Sequence, residues 1–257
     1  GADMSAVTKI LQSRIGELGA YGIDPGGFSL EDKLIDEEDW AESWKQYFKP
    51  IRVSDRLTIR PTWEPYEPGP GELVIDLDPG MAFGTGTHAT TALCLRALDR
   101  AITGGEDVID VGTGSGILAI GAVKLGARRV LALDLDPVAV ASAKANAALN
   151  GLADRIDVRE SDLLGVLKSG EASASGPLNV TPPVDLVVAN ILADIILRFI
   201  DDVRAALKPG GLYIASGIYV NKEEAVRRGL EGAGFEIMRR DEQEDWIAFT
   251  ARKPGGR

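Results

Sequence analysis

Residues 107–120, DVIDVGTGSGILAI, decide the fold. DVIDV is a short, largely apolar run closed by glycine, as expected of a buried strand. GILAIGAVKLG (116–126) carries its apolar residues as a helix does. Between them, Gly112, Gly114 and Gly116 let the backbone turn sharply and come close to a ligand. A dinucleotide fingerprint, G-x-G-x-x-G, needs its third glycine at position 117, which is Ile117. No Lys-Ser/Thr follows, so this is not a triphosphate loop either. The G-x-G-x-G pattern accommodates a ligand backbone without a pyrophosphate seat.

Downstream the alternation repeats. RVLALDLD (129–136) is a strand, and PVAVASAKANAALNG (137–151) is a helix with Pro137 in its first turn and Gly151 past its end. IDVRE (156–160) and VDLVVAN (184–190) are strands, and ADIILRFIDDVRAAL (193–207) is a helix ending in a turn at KPGG (208–211). LYIASGI (212–218) is a strand, NKEEAVRRGLEGAG (221–234) a helix, and FEIMRRDEQEDWIAFTARK (235–253) two closing strands. Apolar strands alternating with amphipathic helices mean a parallel sheet covered on both faces. The expected class is α/β and Rossmann-like, a mostly parallel seven-stranded sheet with one antiparallel strand. SGEASASGPLNVTPP (169–183) is small, polar and proline-containing, a surface loop without chemistry.

Upstream the pattern differs. SAVTKILQSRIGELGA (5–20) is a helix, GFSLEDKLI (27–35) a strand, and DEEDWAESWKQYF (36–48) a second helix. Short β segments follow in IRVSDRLTIRPTW (51–63) and ELVIDLD (72–78), joined by a proline loop. Three parts are expected: an α+β remnant over 1–35, a linking helix and short strands over 36–72, and the main domain over 73–257.

Composition narrows the partners. The net charge is −11, which repels nucleic acid phosphates and suits a basic partner. No apolar run approaches the ~20 residues of a membrane helix. GADMSA, residues 1–6, is neither basic nor apolar, so no secretory leader is expected. The lone Cys94 fits a reducing cytoplasm, and with the lone His88 it makes a structural zinc site implausible.

The chemistry gathers at strand ends. Asp134 lies 22 residues past Gly112, where an acid can take both hydroxyls of a ribose. Its other job, capping the following helix, suits Asp136 better. Asp162, at the end of the next strand, could border an adenine or simply serve a turn. A ribose acid beside a glycine turn without a phosphate seat points to a nucleoside carrying an amino acid, S-adenosylmethionine, with Gly112 and Gly114 in the cradle. Asn190 ends the strand VDLVVAN. Its amide oxygen can accept an N–H and aim an amine lone pair at the methyl, unless it only caps a helix. Nucleic acid and glutamine methyltransferases often carry Asn-Pro-Pro-aromatic there; this chain has Asn-Ile-Leu-Ala.

These residues also resemble a family. DEEDWAESWKQYFKP, DPGMAFGTGTHATT, DVGTGSGILAI, LDLDPVAVASAKAN, VANILADII, LKPGG and SGI together are similar to the bacterial ribosomal protein L11 methyltransferases. The resemblance runs from about residue 30 to 252. It implies methylation of lysine side-chain and N-terminal amines on a basic protein of the large-subunit stalk base; the acidic charge and the short apolar runs add the expectation of no direct nucleic acid or membrane binding. It also implies cofactor contacts from Thr91, Gly112, Asp134 and Asn190. Family members carry an N-terminal βαββαβ domain, of which residues 5–35 match only the last helix and strand. The alternatives are methylation of another protein or a small-molecule amine, or a non-catalytic nucleoside-binding module.

MAFGTGTHATT (81–91) looks like a second cradle but precedes the parallel sheet and opens the helix TTALCLRALDRAI. Thr85 or Thr87 is expected to cap that helix. Met81, Ala82 and Phe83 are expected to form an apolar lip over the methyl group, Phe83 against the cofactor. His88 is a candidate general base, with capping or a backbone hydrogen bond the plainer role.

Overall fold

The computed structural model of the chain describes residues 4–24, 26–27, 48–78, 86, 88–165 and 180–255. It divides into two compact units, Gly1–Phe48 and Lys49–Arg257. In the first, helix α1 (Met4–Gly16) runs into a 3-10 turn, Glu17–Tyr21. The strand expected over 27–35 and the helix over 36–48 fall almost wholly outside the described residues.

The second unit holds two sheets. The smaller contains β1 (Ile51–Arg52), β2 (Leu57–Pro61) and β3 (Leu73–Leu77), with β1 antiparallel and β3 parallel to β2. Val53, Leu57, Ile59, Ile75 and Leu77 join the main core. Residues 49–72 therefore pack as part of the larger unit, where the sequence reading drew a linking segment to residue 72.

The main sheet is built from β4 (Asp107–Val111), β5 (Arg129–Asp134), β6 (Ile156–Glu160), β7 (Val184–Asn190), β8 (Leu207–Tyr219), β9 (Glu236–Gln243) and β10 (Trp246–Arg252). The order is β6-β5-β4-β7-β8-β10-β9. Only β10 runs against the rest, antiparallel to both β8 and β9. Five helices follow α1 in chain order among the described residues: α2 (Ala89–Ala101), α3 (Ile117–Leu125), α4 (Pro137–Leu149), α5 (Ala193–Ala206) and α6 (Glu223–Gly232). Strand alternation divides the apolar residues. Val108, Val130, Ala132 and Val188 face a core shared with α2, α3 and α4. Ile109, Leu131, Leu133 and Val187 face one shared with α5 and α6. The result is a three-layer sandwich, which is why these strands read as unbroken apolar runs.

The expected turn at 208–211 is instead a bulge inside β8. Val184 pairs with Leu207, but Leu186 pairs with Leu212. The intervening backbone is not lost to solvent. Gly210 N donates to Lys253 O at 2.8 Å, and Lys253 N donates to Gly211 O at 2.9 Å. Gly210 and Gly211 are thus bonded to the residue just past β10, so the strand continues.

Two asparagines of the α4 end fasten β3 to the main domain. Asn150 accepts from Asp76 N at 3.0 Å and donates to Asp76 O at 2.7 Å. Asn146 accepts from Asp78 N at 3.1 Å and donates to Ser115 O at 2.9 Å. Asn146 thus ties the residue that leads into 79–85 to the glycine loop. No described helix is long and apolar enough to cross a membrane.

Candidate functional site

The strand order reverses direction between β4 and β7, and ligands of open α/β sheets bind beyond the carboxyl ends of strands at such a point. Here the glycine loop, Asp134, Asp162 and Asn190 all stand at those ends.

The loop is held from below. Gly112 N and Thr113 N both donate to Leu133 O, at 2.8 and 2.9 Å. Gly112 has φ +73°, and a Cβ there would lie 2.5 Å from Ile191 Cγ2. Glycine is required both for the left-handed turn and for the passage of Ile191. Asp134 closes the loop from β5: one carboxylate oxygen accepts from Gly114 N at 2.8 Å, the other from Asp136 N at 3.0 Å. Each oxygen keeps acceptor capacity for a ligand hydroxyl. Helix capping falls to Asp136, which accepts from Val138 N at 2.8 Å.

Three cavities run side by side along these strand ends. One of about 410 Å³ is lined by Gly112, Asp134, Ser161, Asp162, Ile191 and Arg198, among others. A narrow one of about 20 Å³ brings Thr91 together with Gly112, Gly114 and Asn190. The third, about 480 Å³, lies beyond Asn190 and is walled by His88, Thr90, Ile191, Leu192, Ile195, Gly217 and Trp246. Asn190 lines the second and third, and Ile191 lines the first and third. Every described residue expected to touch the cofactor therefore lines at least one of these three cavities. Phe83, with the rest of the expected lip, lies outside the described residues.

Two side chains in the cleft await a partner. Thr91 Oγ1 is buried with no hydrogen bond. A hydroxyl left so costs about 1–3 kcal/mol unless a ligand satisfies it. The Asn190 carboxamide makes no hydrogen bond among the described residues. It is not a helix cap, because Leu192 occupies that position at the start of α5, without a side-chain bond. Its backbone pairs with Ser216 of β8, and the preceding Ala189 pairs with Val111 of β4.

His88 holds the cap position of α2; Thr85 and Thr87, expected there, lie outside the described residues. The helix begins at Ala89, so the half-extended residue before it is His88, whose Nδ1 accepts from Thr90 N at 3.3 Å. The same nitrogen lies 2.8 Å from Thr90 Oγ1. Both contacts occupy Nδ1 and weaken a general-base role for it.

Asp110 stands under the loop, fully buried, accepting from Thr113 Oγ1 at 2.6 Å. Burial pushes its carboxyl from 3.8 up to about 7; the Thr113 hydrogen bond opposes this and the charge of Asp134 adds to it. The folded state thus holds this proton to higher pH than the unfolded chain. Between those two values the folded state binds more protons, so this group's contribution to stability falls as pH rises, and is level above about pH 7. Asp110→Asn is expected to remove that slope from urea midpoints measured between about pH 4 and about pH 8. An unaltered slope in the variant would assign it to other groups.

Comparison with known proteins gives a consistent result. A family model described as ribosomal protein L11 methyltransferase matches residues 3–254. A ribosomal protein L11 methyltransferase of Brevibacillus brevis is 47% identical over 253 residues, 98% of this chain and 77% of that protein. One from Anoxybacillus flavithermus is 48% identical over 244 residues, 95% of this chain and 74% of that protein. Among solved structures, a ribosomal protein L11 methylase from Lactobacillus delbrueckii subsp. bulgaricus superposes with a TM-score of 0.71 at 37% identity. It covers 80% of this chain and 100% of that one.

Proposed function

The chain belongs to the ribosomal protein L11 methyltransferase family, and from that premise we propose how its own residues divide the work. The protein is an S-adenosylmethionine-dependent methyltransferase, and ribosomal protein L11 is its substrate. The cofactor supplies a methyl group already activated on a positively charged sulfur.

In our assignment Gly112 and Gly114 present their backbone to the cofactor, Asp134 accepts from its ribose hydroxyls, and Asp162 borders the base. Thr91 fills its empty hydrogen bond on the same ligand. Asn190 works at the reacting end: its amide oxygen accepts an N–H of the incoming amine and aims the lone pair across the cleft. The observation that carries this reading is the position of Asn190, shared by the narrow cavity holding Thr91 and the glycine loop and by the larger apolar cavity beyond. One side of the residue belongs to the methyl donor and the other to the acceptor. Ile191, Leu192 and Ile195 give the acceptor side an apolar wall, which favours the neutral amine over the ammonium.

The acceptors we assign are lysine side-chain and N-terminal amines of L11, which we place in the large-subunit stalk base. An acidic chain of net charge −11 is suited to a basic protein rather than to RNA, and we place it in the cytoplasm. The α+β segment over 1–35 we read as the end of a substrate-recognition domain.

The test is incubation with labelled S-adenosylmethionine, purified L11 and ribosomal RNA. Label is expected on lysine or the N-terminal amine of the protein; label in RNA alone would reject the assignment. In calorimetry, Asp134→Ala is expected to weaken cofactor binding by about 1–3 kcal/mol, as for a lost charge-assisted hydrogen bond. Unchanged affinity would take the ribose away from Asp134.

A further inference from the structure

The cavity beyond Asn190 has more built into it than the transfer step uses. Its volume is about 480 Å³, far more than one amine group needs, and its wall is mostly apolar. The polar side chains there are Asn190, Thr90 and His88, and His88 is already engaged with Thr90. The rest of the described wall is aliphatic, from Ile191, Leu192 and Ile195, except for the indole of Trp246. The His88 and Trp246 ring centroids are 4.9 Å apart with planes at 67°. Tyr219 meets Trp246 from another residue of the sheet at 5.5 Å and 79°. Trp246 opens β10 and pairs across the ladder with Tyr219 on β8 and Gln243 on β9. Two near-perpendicular rings and two ladders therefore hold the indole in one orientation.

We infer that Trp246, buttressed by His88 and Tyr219, is the residue that selects an aliphatic amine at the acceptor cavity, receiving its ammonium against the indole. The inference rests on the assignment of Asn190 to the reacting end. An arriving lysine is charged, and among the described residues that line the cavity there is no carboxylate to meet it. An aromatic ring attracts such a cation without fixing hydrogen-bond directions and without holding the proton as a carboxylate would. A planar guanidinium or carboxamide would leave several donors or acceptors unmet on the same wall. Once the ammonium loses its proton to water, the amine lone pair forms the N–C bond. The C–S bond breaks with its electrons going to sulfur, and a second proton leaves the methylated nitrogen for water.

The experiment compares steady-state transfer from labelled S-adenosylmethionine to purified L11 by the wild type and by Trp246→Ala, Trp246→Leu and Trp246→Phe. Removing the ring is expected to raise KM for L11 by about tenfold, the scale of a partly desolvated cation–π contact. Trp246→Phe should stay within about threefold of wild type, since a benzene face retains most of that attraction. Cofactor affinity by calorimetry should be the same in all variants that fold, which a merely structural role would not leave untouched. Trp246→Leu keeps an apolar side chain in β10 without a ring, so it decides the matter if the alanine variant unfolds. A wild-type KM in Trp246→Leu overturns the inference and leaves the assigned function standing. No methyl transfer to L11 by the wild-type protein overturns both.

Discussion

Asn190→Ala is expected to lower turnover about 10²–10³-fold while cofactor affinity changes by less than about tenfold, the pattern of a group that acts in the transition state. The asymmetry follows from position. The Asn190 backbone is clamped on one side by the Ala189 and Val111 pair and on the other by Ser216. The side chain itself bonds no described residue, so its loss leaves no buried group stranded and the variant should melt like the wild type. What disappears is the acceptor that orients the amine. Asn190→Asp sharpens the point, because it keeps the shape and the acceptor but adds a negative charge. That charge would hold the amine in its ammonium form, so turnover should also fall and recover toward higher pH. Single-turnover transfer of labelled methyl, alongside calorimetry with the cofactor, separates these effects. A turnover number within about threefold of wild type for Asn190→Ala would remove the residue from the acceptor end.

The reach of the sequence differs sharply between near and distant neighbours. β5 and β7 were legible because a strand buried on both faces leaves an unbroken apolar run, as in VLAL and LVVA. The glycine loop and Asp134 were legible because strand, turn and acid follow one another in the chain. The Asp136 cap was too, since Pro137 marks the first helical residue. The misreadings all concern partners far away in sequence. KPGG reads as a turn until Lys253 supplies its backbone hydrogen bonds. Asn146 and Asn150 look like polar positions on a helix, and their ties to Asp76 and Asp78 have no local signature. Thr85 and Thr87 suggested themselves as caps because threonine is a good one, whereas α2 starts at Ala89 and leaves His88 at the cap. Trp246 escaped notice for the same reason: only the β8–β10 pairing brings it beside Tyr219, and only α2 brings it His88. A tryptophan directly after the polar turn EQED was the one available hint.

Gly217→Ala is expected to cost about 3 kcal/mol or more and to disable the site as well. Gly217 sits in β8 with φ +83°, a region that charges an ordinary residue about 1–2 kcal/mol. The larger obstacle is space. An added Cβ would fall 2.3 Å from Ile191 O, 2.8 Å from its carbonyl carbon and 3.0 Å from its N. These are backbone atoms, and Ile191 N is bonded to Ser216 O at 3.1 Å, so neither chain can swing aside as a side chain would. Separating them must pull Ile191 away from β8, and Ile191 is the residue after Asn190 and a wall of both large cavities. Stability and catalysis are coupled here through one close backbone approach. The melting temperature should drop by roughly 6–12 °C for a domain of this size, and transfer to L11 should fall at least about tenfold. Gly232→Ala is the control: it closes α6, has no atom within 4 Å of its added Cβ, and should be neutral or slightly stabilising. If Gly217→Ala melts and turns over like Gly232→Ala, β8 and Ile191 are not held as close as the site requires, and the amide of Asn190 must be oriented by something other than this packing.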